Sequence, residues 1–343
     1  MITLRVFFLL SLLFTVITNF CNASFDEAIV AAQQHPLSQN VGQVHFETFG
    51  GFNKDIGTAF YVGKNHQGRG VVLTNAHVLD PVINEDGSHK WFVTALSFKL
   101  ESPGGTIILN PAHKALYHKY FKCSKGLDDW SVDWGIMLID AIPHLSPLEI
   151  VSYEQLNRLL DNLPYQDLDD GLPVLKDLNP PAEIIGHGFR RDGLWAVNDG
   201  TKKLVTRHLG VLGKVGYGNG KFYSQPLLAT FKDHRTEDGE GSLRTKELIA
   251  LNGFSGSPLL RDNKVIGVFS YLSLPTAWQN RLWFDWGFNK LTGLFNIPSP
   301  ITGYGPRLRY SERNYFALFT EQNIAWIESS ADTQLKRLEE LEN

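Results

Sequence analysis

The punctuation of the chain most limits the folds open to it. From Val44 the sequence runs in short β-rich segments, "VHFETFGG", "GTAFYVG", "RGVVLTNAHVL", "KWFVTALSFKL", "GGTIILN" and "WGIMLID", separated by glycine, proline and asparagine. Strands spaced this closely, with no long helical period between them, predict a barrel or sandwich rather than an α/β fold. The stretch over 151–181 breaks the pattern: "SYEQLNRLLDNLPYQDLDDGLPVLKDLNPP" is acidic and rich in proline and leucine, which predicts a short helix and then a linker. A second β-rich series follows, from "AEIIGHGF" through "LWAVNDG", "TRHLGVLGKVGYG", "KFYSQPLLATF" and "KELIAL" to "SPLLRDNKVIGVFSYLS".

Two β-rich halves joined by a linker predict an all-β protein of two packed barrels, one over 24–150 and one over 182–311. Within the second half, 273–311 is an aromatic-rich insertion whose "WQNRLWFDWGFNKLTGLF" reads as a local core. The last segment, 312–343, contains "EQNIAWIESSADTQLKRLEELEN", which predicts a C-terminal helix packing through Ile324, Trp326 and Ile327, then a charged tail.

The first 23 residues read as a secretory signal peptide: one positive charge at Arg5, an apolar run from Val6 to Ile17, and small residues near Ala23, where cleavage is expected. The apolar run is too short to span a bilayer comfortably, so no stable membrane insertion is expected after its removal. An exported protein, secreted or periplasmic, follows. Loss of Arg5 turns 32 Lys and Arg against 36 Asp and Glu into 31 against 36, a net charge of −5. That mildly acidic balance argues against nucleic acid as the main partner. Cys21 leaves with the leader and Cys123 stays alone, so no internal disulfide is available. A chain of 343 residues, 43% of them hydrophobic, can be held by its core instead.

The chemistry gathers around "LNGFSGSPLL", residues 251–260, where Ser255 stands between glycines and before a proline. A tight turn is the first reading. A serine hydroxyl becomes a useful nucleophile only when a base takes its proton and a third group orients that base. "VVLTNAHVLD" supplies His77 at a strand end, and "WSVDWGIMLID" supplies Asp133 beside Trp134 and Ile136, where a partly buried carboxylate needs a partner.

In the order His, Asp, Ser along two β-rich halves, these segments resemble the chymotrypsin-like (trypsin-like) serine proteases. "TNAHV" matches the family's histidine motif with Asn75 in place of an alanine, "DWGIMLI" resembles its aspartate strand, and "GFSGSP" matches its serine motif at every position but one. "EIIGHGF", "VIGVFSYLS" and "IAWIES" resemble the strand opening the second barrel, the strand lining the specificity pocket and the C-terminal helix. The likeness runs from about 44 to 330 and is nearest to bacterial exported members. It implies two packed six-stranded barrels of the chymotrypsin-like fold with a C-terminal helix, and a serine endopeptidase acting on protein or peptide substrates. By the same resemblance His77 is the general base, Asp133 its orienting carboxylate and Ser255 the nucleophile, with the N–H groups of Gly253 and Ser255 as the oxyanion hole. No cofactor or metal is required.

Phe254 departs from the family, which in its activated zymogens carries an aspartate there that pairs with a newly cut N-terminus. Two readings follow: an enzyme that needs no N-terminal activation, its loop anchored by the Phe254 ring, or an inactive protease-like fold used as a binding module. For specificity, the resemblance places Ile249 at the base of the primary pocket and Ser270, Tyr271 and Leu272 along its wall, with Ser270 also beside Asp133. Apolar aliphatic side chains are then expected at the cleavage position, and basic ones disfavoured. His113, His118 and Cys123 are potential metal ligands, but their five-residue spacing does not put them on one face. "GYGNGKF" reads as a hairpin turn, and "KDHRTEDGEGSLRTKE" at 232–247 as a solvated loop.

Overall fold

The protein is described by a computed structural model over residues 27–51, 53–101, 107–122, 128–161, 163, 165–166, 181–192, 195–213, 216–218, 221–231, 253–273 and 313–335. The first half folds as β1 (Val41–Thr48), β2 (Asn53–Lys64), β3 (Gly70–Thr74), β4 (Val93–Glu101), β5 (Ile107–Tyr117) and β6 (Gly135–Ile139). These six strands close into a barrel in the order β1-β2-β3-β6-β5-β4.

The second half contains β7 (Tyr165–Gln166), β8 (Pro181–Asp192), β9 (Trp195–Gly213), β10 (Gly216–Gly218), β11 (Lys221–Tyr223), β12 (Leu227–Phe231), β13 (Pro258–Arg261), β14 (Lys264–Ser273) and β15 (Arg313–Leu318). Its main sheet runs β12-β15-β14-β13-β8-β9-β7, and β12 also pairs with β9. That last pairing closes β8, β9, β12, β15, β14 and β13 into a second ring of six, with β7 laid parallel on β9 as an addition. The two six-stranded rings expected from the strand spacing and the family resemblance are therefore present.

Strand alternation explains how the barrels share a core. In β3, "GVVLT" is buried throughout. Val72 points into the first barrel with Val44, Tyr61 and Met137, while Val71 and Leu73 point outward into a second cluster with Ile184, Val265 and Phe316 of the other barrel. A strand with both faces covered reads as a continuous apolar run, as this one does.

The C-terminal helix, Glu321–Ala331, is capped by Thr320, whose hydroxyl accepts from the N–H of Asn323. Ile324 and Ile327 are buried and Trp326 packs at the margin of the interbarrel cluster, the three residues its period selects. "GYGNGKF" forms the β10–β11 hairpin. Residues 153–161 form the expected short helix. "KELIAL", the charged run at 232–247 and the insertion over 274–311 lie outside the described residues. One local expectation is corrected: "WAVNDG" and "TRHLGVLG" are not in separate strands but both in β9, which runs for 19 residues. The Asn-Asp-Gly signal sits where the β8–β9 register shifts between His187 and Phe189, so the extra residues make a bulge and not a turn. Among the described residues no helix is long and apolar enough to cross a membrane.

Candidate active site

Pairing of β3 with β6 brings the first two candidate residues together. Thr74 is partnered with Gly135, so the chain just past β3 meets the chain just before β6. His77 lies in the short helix Ala76–Leu79, and Asp133 follows a 3-10 turn, Trp130–Val132. Asp133 is fully buried, while the His77 side chain keeps 26% of its surface exposed. One carboxylate oxygen, Oδ1, accepts the backbone N–H of His77 at 2.9 Å, and the other, Oδ2, accepts Nδ1–H of its ring at 2.7 Å. The Ser270 hydroxyl donates to the same Oδ2 at 2.6 Å. Three donors satisfy a charge that would otherwise be expensive to bury. With Nδ1 committed to Asp133, Nε2 is left as the acceptor of the neutral ring.

The third candidate belongs to the second barrel, in a turn that runs from Gly253 to Ser257 into β13. Gly253 and Gly256 have φ of +97° and +87°, the left-handed region open to glycine. The turn is fastened by Ser257 N–H to Phe254 O at 2.8 Å and Gly256 N–H to Phe269 O at 3.0 Å. It is seated on β2 of the other barrel: Thr58 N–H donates to Ser255 O at 2.7 Å. The Thr58 hydroxyl lies 2.9 Å from Gly253 O and 3.2 Å from His187 O, and accepts the His187 N–H at 3.0 Å. Thr74, three residues before His77, donates to Thr58 O at 2.7 Å, linking the strand that leads to the histidine with the seat of the serine turn. A Cβ on Gly57 would lie 2.8 Å from Val78 and 3.0 Å from Ser255 O, so the neighbour of His77 and the serine turn meet over that glycine. The N–H groups of Gly253 and Ser255 have no acceptor among the described residues, and no hydrogen bond there joins Ser255 Oγ to His77.

Phe254 is 1% exposed and belongs to the interbarrel core. Its ring lies on Gly186 and Gly188 of β8, so closely that a Cβ on Gly188 would overlap it. The ring thus fills the space behind the turn.

Of the residues assigned to the substrate pocket, Ser270 turns its hydroxyl to Asp133 and is buried. Tyr271 stacks on Tyr315, with ring centroids 4.4 Å apart, and meets the Trp130 ring at 5.1 Å. Leu272 occupies the β14 position opposite Asn314, and Ile249 lies outside the described residues. His113 bonds Asp140, and His118 packs on Trp326 at 4.7 Å, so these two histidines face different partners; Cys123 lies outside the described residues. The sequence reading missed Trp130, whose ring is 5.5 Å from the His77 ring, and Thr58. The position of Trp130, three residues before Asp133 in "WSVDW", was the available signal for the first.

Two six-stranded barrels packed face to face with a C-terminal helix make this a chymotrypsin-like fold. No protein-family model and no curated protein matches the chain. Among solved structures, it is similar to neuropsin, a serine protease expressed in the limbic system of mouse brain. The identity is 14%, over 87% of this chain and 97% of that one, with a TM-score of 0.47.

Proposed function

We propose that the mature protein is a serine endopeptidase. The observation that carries the reading is the grip of Asp133 on His77 through both the backbone N–H and Nδ1–H, beside a serine turn whose two amides have no acceptor among the described residues. In this reaction Ser255 Oγ attacks the peptide carbonyl while His77 Nε2 takes its proton. The N–H groups of Gly253 and Ser255 stabilise the resulting oxyanion. The C–N bond then breaks, the proton passes from His77 to the leaving amine, and an ester on Ser255 remains. Water, activated by the same nitrogen, hydrolyses that ester and restores the hydroxyl. Asp133 keeps the ring in one tautomer and stabilises its charged form throughout. The chemistry needs no cofactor.

The primary pocket, with Ile249 at its base and Leu272 at its wall, would favour small or medium aliphatic residues before the cleaved bond. The leader over 1–23 would place the enzyme outside the cytoplasm. The competing reading, a binding module with a collapsed serine turn, is disfavoured by the packing of Phe254, which anchors the turn from inside.

Labelling of the purified mature protein with a fluorophosphonate probe tests the proposal. The parent should be labelled and should cleave an apolar peptide library, while Ser255→Ala should lose both, with cleavage falling by several orders of magnitude. Unchanged cleavage in Ser255→Ala would end the proposal, and dominant cleavage after Arg or Lys would refute the pocket assignment.

A further inference from the structure

β9 carries two adjacent lysines, Lys202 and Lys203, and both are buried. Successive residues of a strand point to opposite faces, so the two ammonium groups do different things. Lys202 Nζ donates to Ser38 O at 2.7 Å, ahead of β1. Lys203, 1% exposed, turns the other way, and its Nζ donates to Gly188 O at 3.0 Å, Thr201 O at 3.1 Å and Thr201 Oγ1 at 2.9 Å.

Gly188 is the residue on which the serine turn leans. The Phe254 ring packs on it with no room for a Cβ, and a Cβ on Gly253 would lie 2.9 Å from Gly188 Cα and 3.0 Å from His187 O. The same segment meets the Thr58 hydroxyl through His187 N–H and O. Gly188 lies at the register shift of β8 against β9, where regular ladder bonds do not fix the backbone. The Lys203 ammonium holds the carbonyl of this same Gly188, against which Phe254 and Gly253 pack.

We infer that Lys203 is a positioning residue for the oxyanion turn: its ammonium, through Gly188, sets the wall against which Gly253 and Phe254 are placed. This rests on the protease reading for its catalytic consequence, though not for its structural one. A buried ammonium is costly to strip of its partners, so the loss of the Lys203 bond to Gly188 O should be felt locally.

Amide hydrogen exchange over residues 253–258 decides the matter, compared among the parent, Lys203→Met and Lys202→Met, with peptide ester hydrolysis followed on the same samples. In Lys203→Met, exchange at the amides of Gly256 and Ser257 should quicken about tenfold while β3 keeps its protection. Its kcat should fall about 10- to 100-fold with KM nearly unchanged, because only the placement of the oxyanion donors has shifted. Lys203→Arg, which keeps the charge, should recover part of that loss. Lys202→Met should lower the melting temperature and leave both the turn's exchange and kcat as in the parent. Parent-like exchange over 253–258 in Lys203→Met, or a change equal to that in Lys202→Met, overturns the inference. If Lys203→Met does not fold, Lys203→Gln takes its place under the same criteria. A parent that neither hydrolyses esters nor takes up the fluorophosphonate probe sinks the protease reading alone, and the exchange comparison still decides the role of Lys203.

Discussion

Asp133 and Phe254 hold equivalent stations in the two barrels. Each is buried directly beside a candidate site residue, Asp133 behind His77 and Phe254 next to Ser255. Asp133 is fixed by three hydrogen-bond donors. Phe254 is fixed by the volume of its ring against Gly186 and Gly188. The first barrel therefore orients by direction, and the second by fit. A directional contact fails when one atom changes its chemistry, whereas a packed contact fails in proportion to the volume lost or gained.

The sharpest break in this comparison is Asp133→Asn. It is nearly isosteric, yet it presents an amide where the histidine and serine also donate, and kcat should fall about 10⁴-fold through the wrong ring tautomer. Stability should change far less than activity, which paired melting and rate measurements would show. Equal losses in both would make Asp133 a structural residue.

Phe254→Ala tests the other half. Removing the ring should cost about 3–4 kcal/mol of stability, read from denaturant unfolding, with activity lost alongside. Phe254→Leu should recover most of both, whereas no volume-matched replacement rescues Asp133. Gly188→Ala, which drives a methyl into the ring, should mimic Phe254→Ala from the opposite side.

The gap between directional and packed contacts narrows at Ser270→Ala. Asp133 keeps two of its three donors, so kcat/KM should drop about tenfold, the worth of one charge-assisted hydrogen bond. A loss as large as that of Asp133→Asn would mean that Ser270 and not His77 sets the carboxylate.

The smallest effect concerns His118, whose backbone N–H donates to Trp134 O beside Asp133. Burial pulls its ring pKa down to about 4, against the opposing charge of Asp129. The unfolded chain takes up that proton near pH 6.5, so between pH 6.5 and 4 the unfolded state binds more protons and stability falls as the pH drops. His118→Gln should reduce that acid loss by about 1–2 kcal/mol in denaturation curves at the two pH values. No difference between the curves would show that the ring does not stay neutral in the folded protein.

What the sequence disclosed follows the same division. The sequence singled out His77, Asp133 and Ser255 as candidates because directional chemistry demands particular residue types in short motifs, and the structure pairs the first two. The two barrels were legible through the spacing of β-rich segments. Fit leaves a fainter trace. Phe254 could be read as either an anchor or a defect, since the choice depends on Gly186 and Gly188, which lie far away in the chain. Lys202 and Lys203 look like solvated charges beside Asn198, Asp199 and Gly200, and only the long β9 strand shows them buried. Trp130 is an unremarked aromatic until the chain folds it against His77. Thr58, one polar residue in a strand, carries no local sign of the contacts it makes across the barrels.

Those contacts of Thr58 also bear on the order in which the protein folds. Its hydroxyl meets Gly253 O across 195 residues of chain, far beyond any pairing within the first barrel. Closing so long a loop costs entropy before any contact compensates it, and topologies rich in such distant pairings fold slowly. During synthesis, β3 and β6, which flank His77 and Asp133, emerge and can pair well before the serine turn exists. The turn gains its seat only when the second barrel docks. A chain cut short before residue 253 would thus hold His77 against Asp133 while lacking the serine turn, so on the proposed reading the hydrolytic site would be complete only after the second barrel had folded.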